Sequence, residues 1–280
     1  MLQFKERDEL LKHQSTAKKR GQSIGFVPTM GALHPGHISL IAAAKKDNDV
    51  VICSIFINPT QFNNAKDFEK YPVTTEKDIQ LLEAAGCEIL FLPDKQEIYP
   101  ETDHSPLHYE LGHLENILEG FYRPGHFQGV CMVVDRLLQL VQPDKVYIGQ
   151  KDYQQCMVLK KLVEILDLKI EMIVCPTLRE TDGLAMSSRN MRLNDAERQK
   201  AVFIYDTLCF IKKEIRPGNV DDLIERARYN LVEEGFRVDY IEIANAQNLD
   251  IVHEWYGTTP LVALIAVFLN EVRLIDNLLL

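Results

Sequence analysis

His34 and His37 stand three residues apart around Pro35 and Gly36, inside the segment PTMGALHPGH at positions 28–37. Imidazoles at this spacing can donate hydrogen bonds to a phosphate and, when charged, stabilise negative charge that builds up at phosphorus. Gly36 removes a side chain where a phosphate or sugar would approach. A helix beginning here offers backbone N–H groups and the positive end of its dipole to an anion. A loop histidine followed by a chance histidine at a helix start would spell the same letters. The setting between a β-rich run and an amphipathic run raises the motif above that. SIFINPTQF (54–62) likewise puts Gln61 just past a buried run, where an amide can read a hydroxyl or a carboxylate, or simply face solvent in a turn. VYIGQKDYQQ (146–155) places Lys151, Asp152, Gln154 and Gln155 after another such run. Lysine there can neutralise phosphate oxygens, and Asp152 can equally be a helix cap. DGLAMSSRN (182–190) sets two hydroxyls and Arg189 in a glycine-flanked loop, the makings of a mobile phosphate clamp or of an interdomain linker. RPGHFQG (123–129) offers Arg123 and His126 to an anionic ligand, or to a loop or subunit contact.

The elements that must hold these segments follow from apolar periodicity. Residues 23–28 (SIGFVP), 50–57, 88–92, 145–148 and 169–174 read as short buried strands. Helical spacing marks 38–46, 75–85 with Gly86 as its C-terminal stop, 130–141 ended by Pro143, and 152–166. This alternation predicts right-handed βαβ units: an α/β, Rossmann-like, doubly wound parallel sheet with ligands at the carboxyl ends of its strands. Near Pro176 the pattern changes to two helices, 194–213 and 220–234, then strands at 237–244, 261–269 and 271–275. That order predicts a second, smaller α+β domain. The expected division is 1–178 and 179–280.

Composition narrows the function classes. The 280 residues carry 31 basic and 41 acidic side chains, a net charge of −10, which disfavours a nucleic-acid or anionic-membrane binder. The apolar run Leu261–Leu269 is about half the length needed to cross a bilayer. The N-terminal MLQFKERDELLKHQ has no signal-peptide core. Six cysteines, 19 to 44 residues apart and mostly in apolar surroundings, read as buried small hydrophobes rather than a zinc site or disulfide framework. The expectation is a cytoplasmic protein.

Taken together, VPTMGALHPGH, SIFINPTQF, YPVTTEKD, EIYP, RPGHFQGV, QPDKVYIGQKDYQQ, DGLAMSSRN and RLIDN resemble, in content and order, the blocks of the pantoate–β-alanine ligase family of HxGH nucleotidyltransferases. The resemblance spans essentially the whole chain. It implies ATP-dependent activation of pantoate to a pantoyl-adenylate, then attack by β-alanine to give pantothenate, AMP and pyrophosphate. By motif position it implies His34, His37, Lys151, Ser187, Ser188 and Arg189 as catalytic residues. ATP is expected at Met30, Gly31, Ala32, Leu33, His34, Pro35, Gly36 and His37, at Gly149, Gln150, Lys151 and Asp152, and at Leu178, Met186, Ser187, Ser188 and Arg189. Gln61 and Gln155 match the amides that hold pantoate. Mg2+ is expected with the ATP phosphates, with no protein ligand assigned. The C-terminal domain is expected to act as a lid and the protein to be a homodimer. Two positions depart from the family pattern: Gln150 stands where glutamate is usual, and Pro35 where an acidic residue is common. Two other readings share the motifs: a nucleotidyltransferase acting on a phosphorylated acceptor, and a nucleotide-binding paralogue without turnover.

Overall fold

The computed structural model describes residues 1–62, 68–100 and 108–280. The chain divides into two compact units: Met1–Gly149 with Gln155–Pro176, and Gln150–Gln154 with Thr177–Leu280. The five residues between Gly149 and Gln155 therefore belong to the second unit.

The first unit is built on a six-stranded sheet. Its strands are β1 (Leu2–Phe4), β2 (Ile24–Thr29), β3 (Val50–Ile55), β4 (Ile89–Phe91), β5 (Lys145–Gly149) and β6 (Glu171–Cys175). They lie in the order β1-β4-β3-β2-β5-β6, and every neighbouring pair is parallel. From β2 the chain winds one way through β3 to β4, and then returns to the other side of β2 for β5 and β6. The gap between the carboxyl ends of β2 and β5 is therefore the topological switch point, where such sheets bind ligands. All six residues of β3 are buried, as befits a strand covered on both faces.

Helices α1 (Arg7–Lys19), α2 (Pro35–Asp47), α3 (Thr75–Ala84), α4 (Lys95–Ile98), α5 (Leu118–Tyr122), α6 (His126–Val141) and α7 (Tyr153–Ile165) accompany this sheet. Leu40, Ile41 and Ala44 of α2 and Leu82 of α3 share a core with Val27, Val51, Cys53, Leu90 and Tyr147. Gly86 ends the α3 turn at φ +71°. The apolar stripe Val130, Val133, Val134, Leu137, Leu138 and Val141 is buried along α6. The helix starts four residues before that stripe, at His126.

The second unit packs α8 (Asp195–Lys200), α9 (Phe203–Glu214) and α10 (Asp221–Glu233) with strands β8 (Arg237–Asn245), β10 (Leu261–Leu269) and β11 (Val272–Leu279). The three strands form an antiparallel sheet with β10 central, and β7 (Gly218–Asn219) pairs with β9 (Glu254–Trp255). Leu261, Ala263, Ile265, Val267 and Leu269 face a core shared with Ile204, Leu208, Ile211, Leu223, Ala227 and Leu231. The single helix expected over 194–213 is two helices. At fully buried Ala201 the backbone tightens, with Ile204 N–H bonding Ala201 O and Tyr205 N–H bonding Val202 O.

Candidate active site

The loop leaving β2 is closed on itself. Gly31 (φ +82°) and Ala32 (φ +50°) reverse the chain, and a Cβ on Gly31 would lie 3.0 Å from Ile55 Cγ2 and 3.1 Å from Asp78 Oδ2. Asp78, on α3 and 1% exposed, takes the turn in both carboxylate oxygens: Ala32 N–H donates to Oδ2 (2.9 Å) and Leu33 N–H to Oδ1 (2.8 Å). Thr74 Oγ donates to the same Oδ1 at 2.9 Å. A buried carboxylate is tolerated here because both oxygens accept hydrogen bonds.

The two histidines cap α2. His34 is the N-cap, and its Nδ1 accepts from Gly36 N–H at 3.2 Å. The His34 N–H in turn donates to His37 Nδ1 at 3.3 Å, and the rings lie 4.1 Å apart. An Nδ1 that accepts carries no proton, so each neutral imidazole holds its proton on Nε2. The expectation of open amides at this helix start is corrected. Gly31 N–H bonds Thr29 Oγ, and the Ala32 and Leu33 amides go to Asp78. His34 and Gly36 use the ring nitrogens, while His37 and Ile38 bond His34 O. Pro35 has no N–H. The backbone amides of this loop are therefore engaged within the loop and by Asp78, and form no open nest.

Beside the loop, Gln61 ends a short 3-10 turn, Pro59–Gln61, that follows β3. It is buried, and its Nε2 touches Met30 Sδ, joining two of the expected substrate-site residues. Its backbone is held by His126 at the start of α6: the ring Nδ1 lies 2.8 Å from Gln61 O, and since a carbonyl only accepts, that nitrogen carries the proton. Asn58 supports the same turn, giving Nδ2–H to Gly129 O (3.0 Å) and taking Tyr99 and Thr60 hydroxyls on Oδ1 (3.1 Å each). A Cβ at Gly129 would fall 2.4 Å from Thr60 O, so only glycine allows α6 this close to the turn. Of the alternatives for RPGHFQG, loop fixing is what the contacts of His126 and Gly129 do. Arg123 pairs with Glu119 at 3.4 Å. Gln155 lies half-buried on the first turn of α7, and Gly149 closes β5.

The second unit carries the remaining expected residues on two segments. Gln150, Lys151 and Asp152 form a 3-10 turn, with Lys151 Nζ 3.5 Å from Asp152 Oδ1. Asp152 thus closes a turn ahead of α7. Residues 178–186 are a tight hairpin rather than a linker: Met186 N–H bonds Leu178 O, Glu180 N–H bonds Leu184 O, and Arg179 bridges Ala185. Gly183 sits at φ +95° against Tyr205, and Arg179 lies over that ring, 4.1 Å from its centroid. Asp182 is held below its ordinary carboxylate value by the Arg198 guanidinium that bonds it. MSSRN continues into a 3-10 helix, Ser188–Arg192, capped by Ser187, whose Oγ accepts Arg189 N–H at 3.2 Å. It is an ordered turn, not an open loop. Ser188 is buried, whereas Leu178 is 39% exposed.

Among the described residues no group of three or more His, Cys, Asp or Glu side chains is placed to hold a metal ion. All six cysteines are free thiols, five of them buried. Burial pushes the Cys87 thiol up to about 11 and the Cys131 thiol up to about 12. Asp78 and Asn277 are the site-building residues missed by motif reading. Their partners lie about 45 and 127 residues away, and only their presence in YPVTTEKD and RLIDN marked them.

The chain is similar to known proteins along nearly its full length. The family profile described as Pantoate-beta-alanine ligase matches residues 3–279. A pantothenate synthetase of Cytophaga hutchinsonii is 45% identical over 281 residues, covering 99% of each chain. The crystal structure of a Thermus thermophilus pantothenate synthetase superposes with a TM-score of 0.90 at 38% identity, covering 99% of each chain. A Francisella tularensis pantoate–β-alanine ligase, complexed with β,γ-ATP and β-alanine, superposes with a TM-score of 0.83 at 39% identity over 100% of this chain and 97% of that one. With a profile match from end to end and relatives above 40% identity, the chain belongs to the pantoate–β-alanine ligase family.

Proposed function

We propose that this ligase makes pantothenate in two steps. A pantoate carboxylate oxygen attacks the α-phosphorus of ATP; the bond to the bridging oxygen breaks, and pyrophosphate leaves with that electron pair. The β-alanine nitrogen then attacks the acyl carbon, the carbon–oxygen bond to AMP breaks, and the amine releases a proton. Negative charge grows on phosphate oxygens in the first step, so donors fixed in advance lower its barrier most.

The observation that carries this reading is the reciprocal cap of His34 and His37 after β2, at the switch point of the sheet. The cap fixes both tautomers and makes Nε2–H the donor of each ring. Lys151, Ser187, Ser188 and Arg189 are read as further phosphate partners, Leu178 as lining the adenine, and Met186 as a further ATP contact. Gln61, steadied by His126 and Asn58, is read with Gln155 as the pantoate reader, since neutral amides suit a hydroxy acid. Both oxygens of Asp78 are committed to backbone and Thr74; Mg2+ is read as arriving on the ATP phosphates, with water and at most one carboxylate as its other ligands. No described helix is long and apolar enough to cross a membrane. A cytoplasmic homodimer is the accompanying reading, checked by fractionation and by light scattering.

The test is pyrophosphate release from ATP with pantoate, β-alanine, both or neither. Release that requires pantoate, with AMP and pantothenate accumulating once β-alanine is added, supports the two steps. Release requiring a phosphorylated acceptor instead points to simple nucleotidyl transfer. ATP binding without release points to a paralogue that has lost turnover.

A further inference from the structure

Near the end of β11, in the second unit, the side chain of Asn277 is 2% exposed and has a partner for each arm of its carboxamide. Its Nδ2 donates to Gln150 O (3.0 Å) and Lys151 O (2.8 Å), and its Oδ1 accepts Gln150 Nε2–H (3.2 Å). One nitrogen with two donors beside an acceptor is the arrangement that only an amide side chain supplies. The two carbonyls flank the Lys151 α-carbon, so gripping both fixes the point from which the lysine side chain departs.

The same stretch of strand holds the other phosphate segment. Asp276, 4% exposed, takes Arg179 Nη1 and Nη2 at 2.6 and 3.0 Å, and Asn277 O accepts Arg179 Nη2 at 3.1 Å. Arg179 also donates to Gly183 O, inside the hairpin that leads into Met186 and Ser187. Asp276 also accepts the Asn277 N–H at 2.7 Å, tying the two anchors together. Of the blocks singled out in the sequence, RLIDN has no part in the chemistry described above; here its last two residues anchor both the Lys151 turn and the Arg179 hairpin.

We propose that Asn277 is a positioning residue of the nucleotide step, acting through Lys151. The proposal rests on the reading that Lys151 meets the ATP phosphates. Asn277→Asp keeps the shape but replaces the two donors by an oxygen facing two carbonyls. Displacing a phosphate-binding amine by about 1 Å is expected to cost on the order of 10- to 100-fold in pantoate-dependent pyrophosphate release.

Asn277→Asp, Lys151→Ala and the double variant are assayed for ATP and pantoate KM, kcat and thermal unfolding, with Leu264→Val as a strand control. Leu264 is the register partner of Asn277 on β10 but lies outside the clamp. The expected result is a loss in both single variants centred on ATP, with the pantoate KM steady and the double variant no worse than Lys151→Ala. Losses that multiply in the double variant overturn the proposal, as does an equal loss in Leu264→Val at matched stability. A normal Asn277→Asp beside an impaired Lys151→Ala overturns it while leaving the site reading intact. A fully active Lys151→Ala overturns the site reading instead, and the proposal with it. If Asn277→Asp does not fold, Asn277→Ala is read by the same criteria.

Discussion

The rings of His34 and His37 lie 4.1 Å apart, and each turns Nδ1 onto a backbone N–H at the start of α2. Both imidazoles are expected in the Nε2–H form, which nitrogen-15 NMR of the labelled rings reads directly. A proton found on Nδ1 of either ring would remove the cap. His37→Ala is expected to slow adenylate formation by about 10²-fold or more, the usual loss on removing a transition-state donor. Unchanged turnover would sink that assignment.

Asp78 should matter for both stability and nucleotide use. Asn at this position keeps one acceptor but turns an NH2 group toward a backbone N–H that the carboxylate had satisfied. Leaving one buried donor unmet is expected to cost about 1–3 kcal/mol. Denaturant unfolding gives that number, and the ATP KM should rise with it. A variant within about 0.5 kcal/mol of the parent would show that the loop holds its shape without the carboxylate.

Gly129 is expected to act on the other substrate. A methyl group there meets Thr60 O at 2.4 Å and Gln61 Cα at 2.8 Å, both backbone atoms that cannot swing aside. Gly129→Ala should therefore move the Gln61 turn and raise the pantoate KM about tenfold, equivalent to ~1.4 kcal/mol of binding. The ATP KM serves as the internal reference. If it rises as much as the pantoate KM, Gln61 does not read pantoate.

His253 and Asp221 form an exposed pair, Nδ1 to Oδ1 at 2.9 Å. Donating this hydrogen bond to the Asp221 carboxylate lifts His253 above its ordinary 6.5, and accepting it lowers Asp221 below 3.8. The raised histidine contributes stability that is complete below pH 6.5 and fades as pH climbs through its folded value. The lowered aspartate contributes stability present above pH 3.8 and lost as pH falls through its own folded value. Proton NMR titration should place His253 above 6.5 and, in Asp221→Asn, back near it. A midpoint that does not move would mean the pair does not form in solution.

Much of the fold could be read from residue pattern because the parallel strands are short apolar runs between helices of clear period. Val50, Val51, Ile52, Cys53 and Ile55 announce a buried strand, and Val130 to Val141 a buried helix face. Leu2–Phe4 does not, since an edge strand of three residues with its first two exposed has no pattern to show. The break at Ala201 is equally silent: alanine favours helix, and the tightening is set by packing around a residue with no exposed surface. His34, His37 and Gln61 could be singled out as candidates because they lie on the segments that leave β2 and β3. The closing of the loop amides could not be, because the decisive acceptor, Asp78, is brought from another helix. DGLAMSSRN allows a mobile clamp or a linker in sequence because the anchor of the hairpin that leads into it, Asp276, lies 97 residues from Arg179.

The second unit is not one uninterrupted stretch of the reading frame, since Gln150–Gln154 lie within it while the chain on both sides belongs to the first. A single crossover near Thr177 cannot transplant it whole. A chimaera made there would combine the Gln150 turn of one parent with the Asn277 of the other, and those two side chains must match. The Gln150 turn and the end of β11 are thereby bound to change together through descent, although they lie 127 residues apart in the chain.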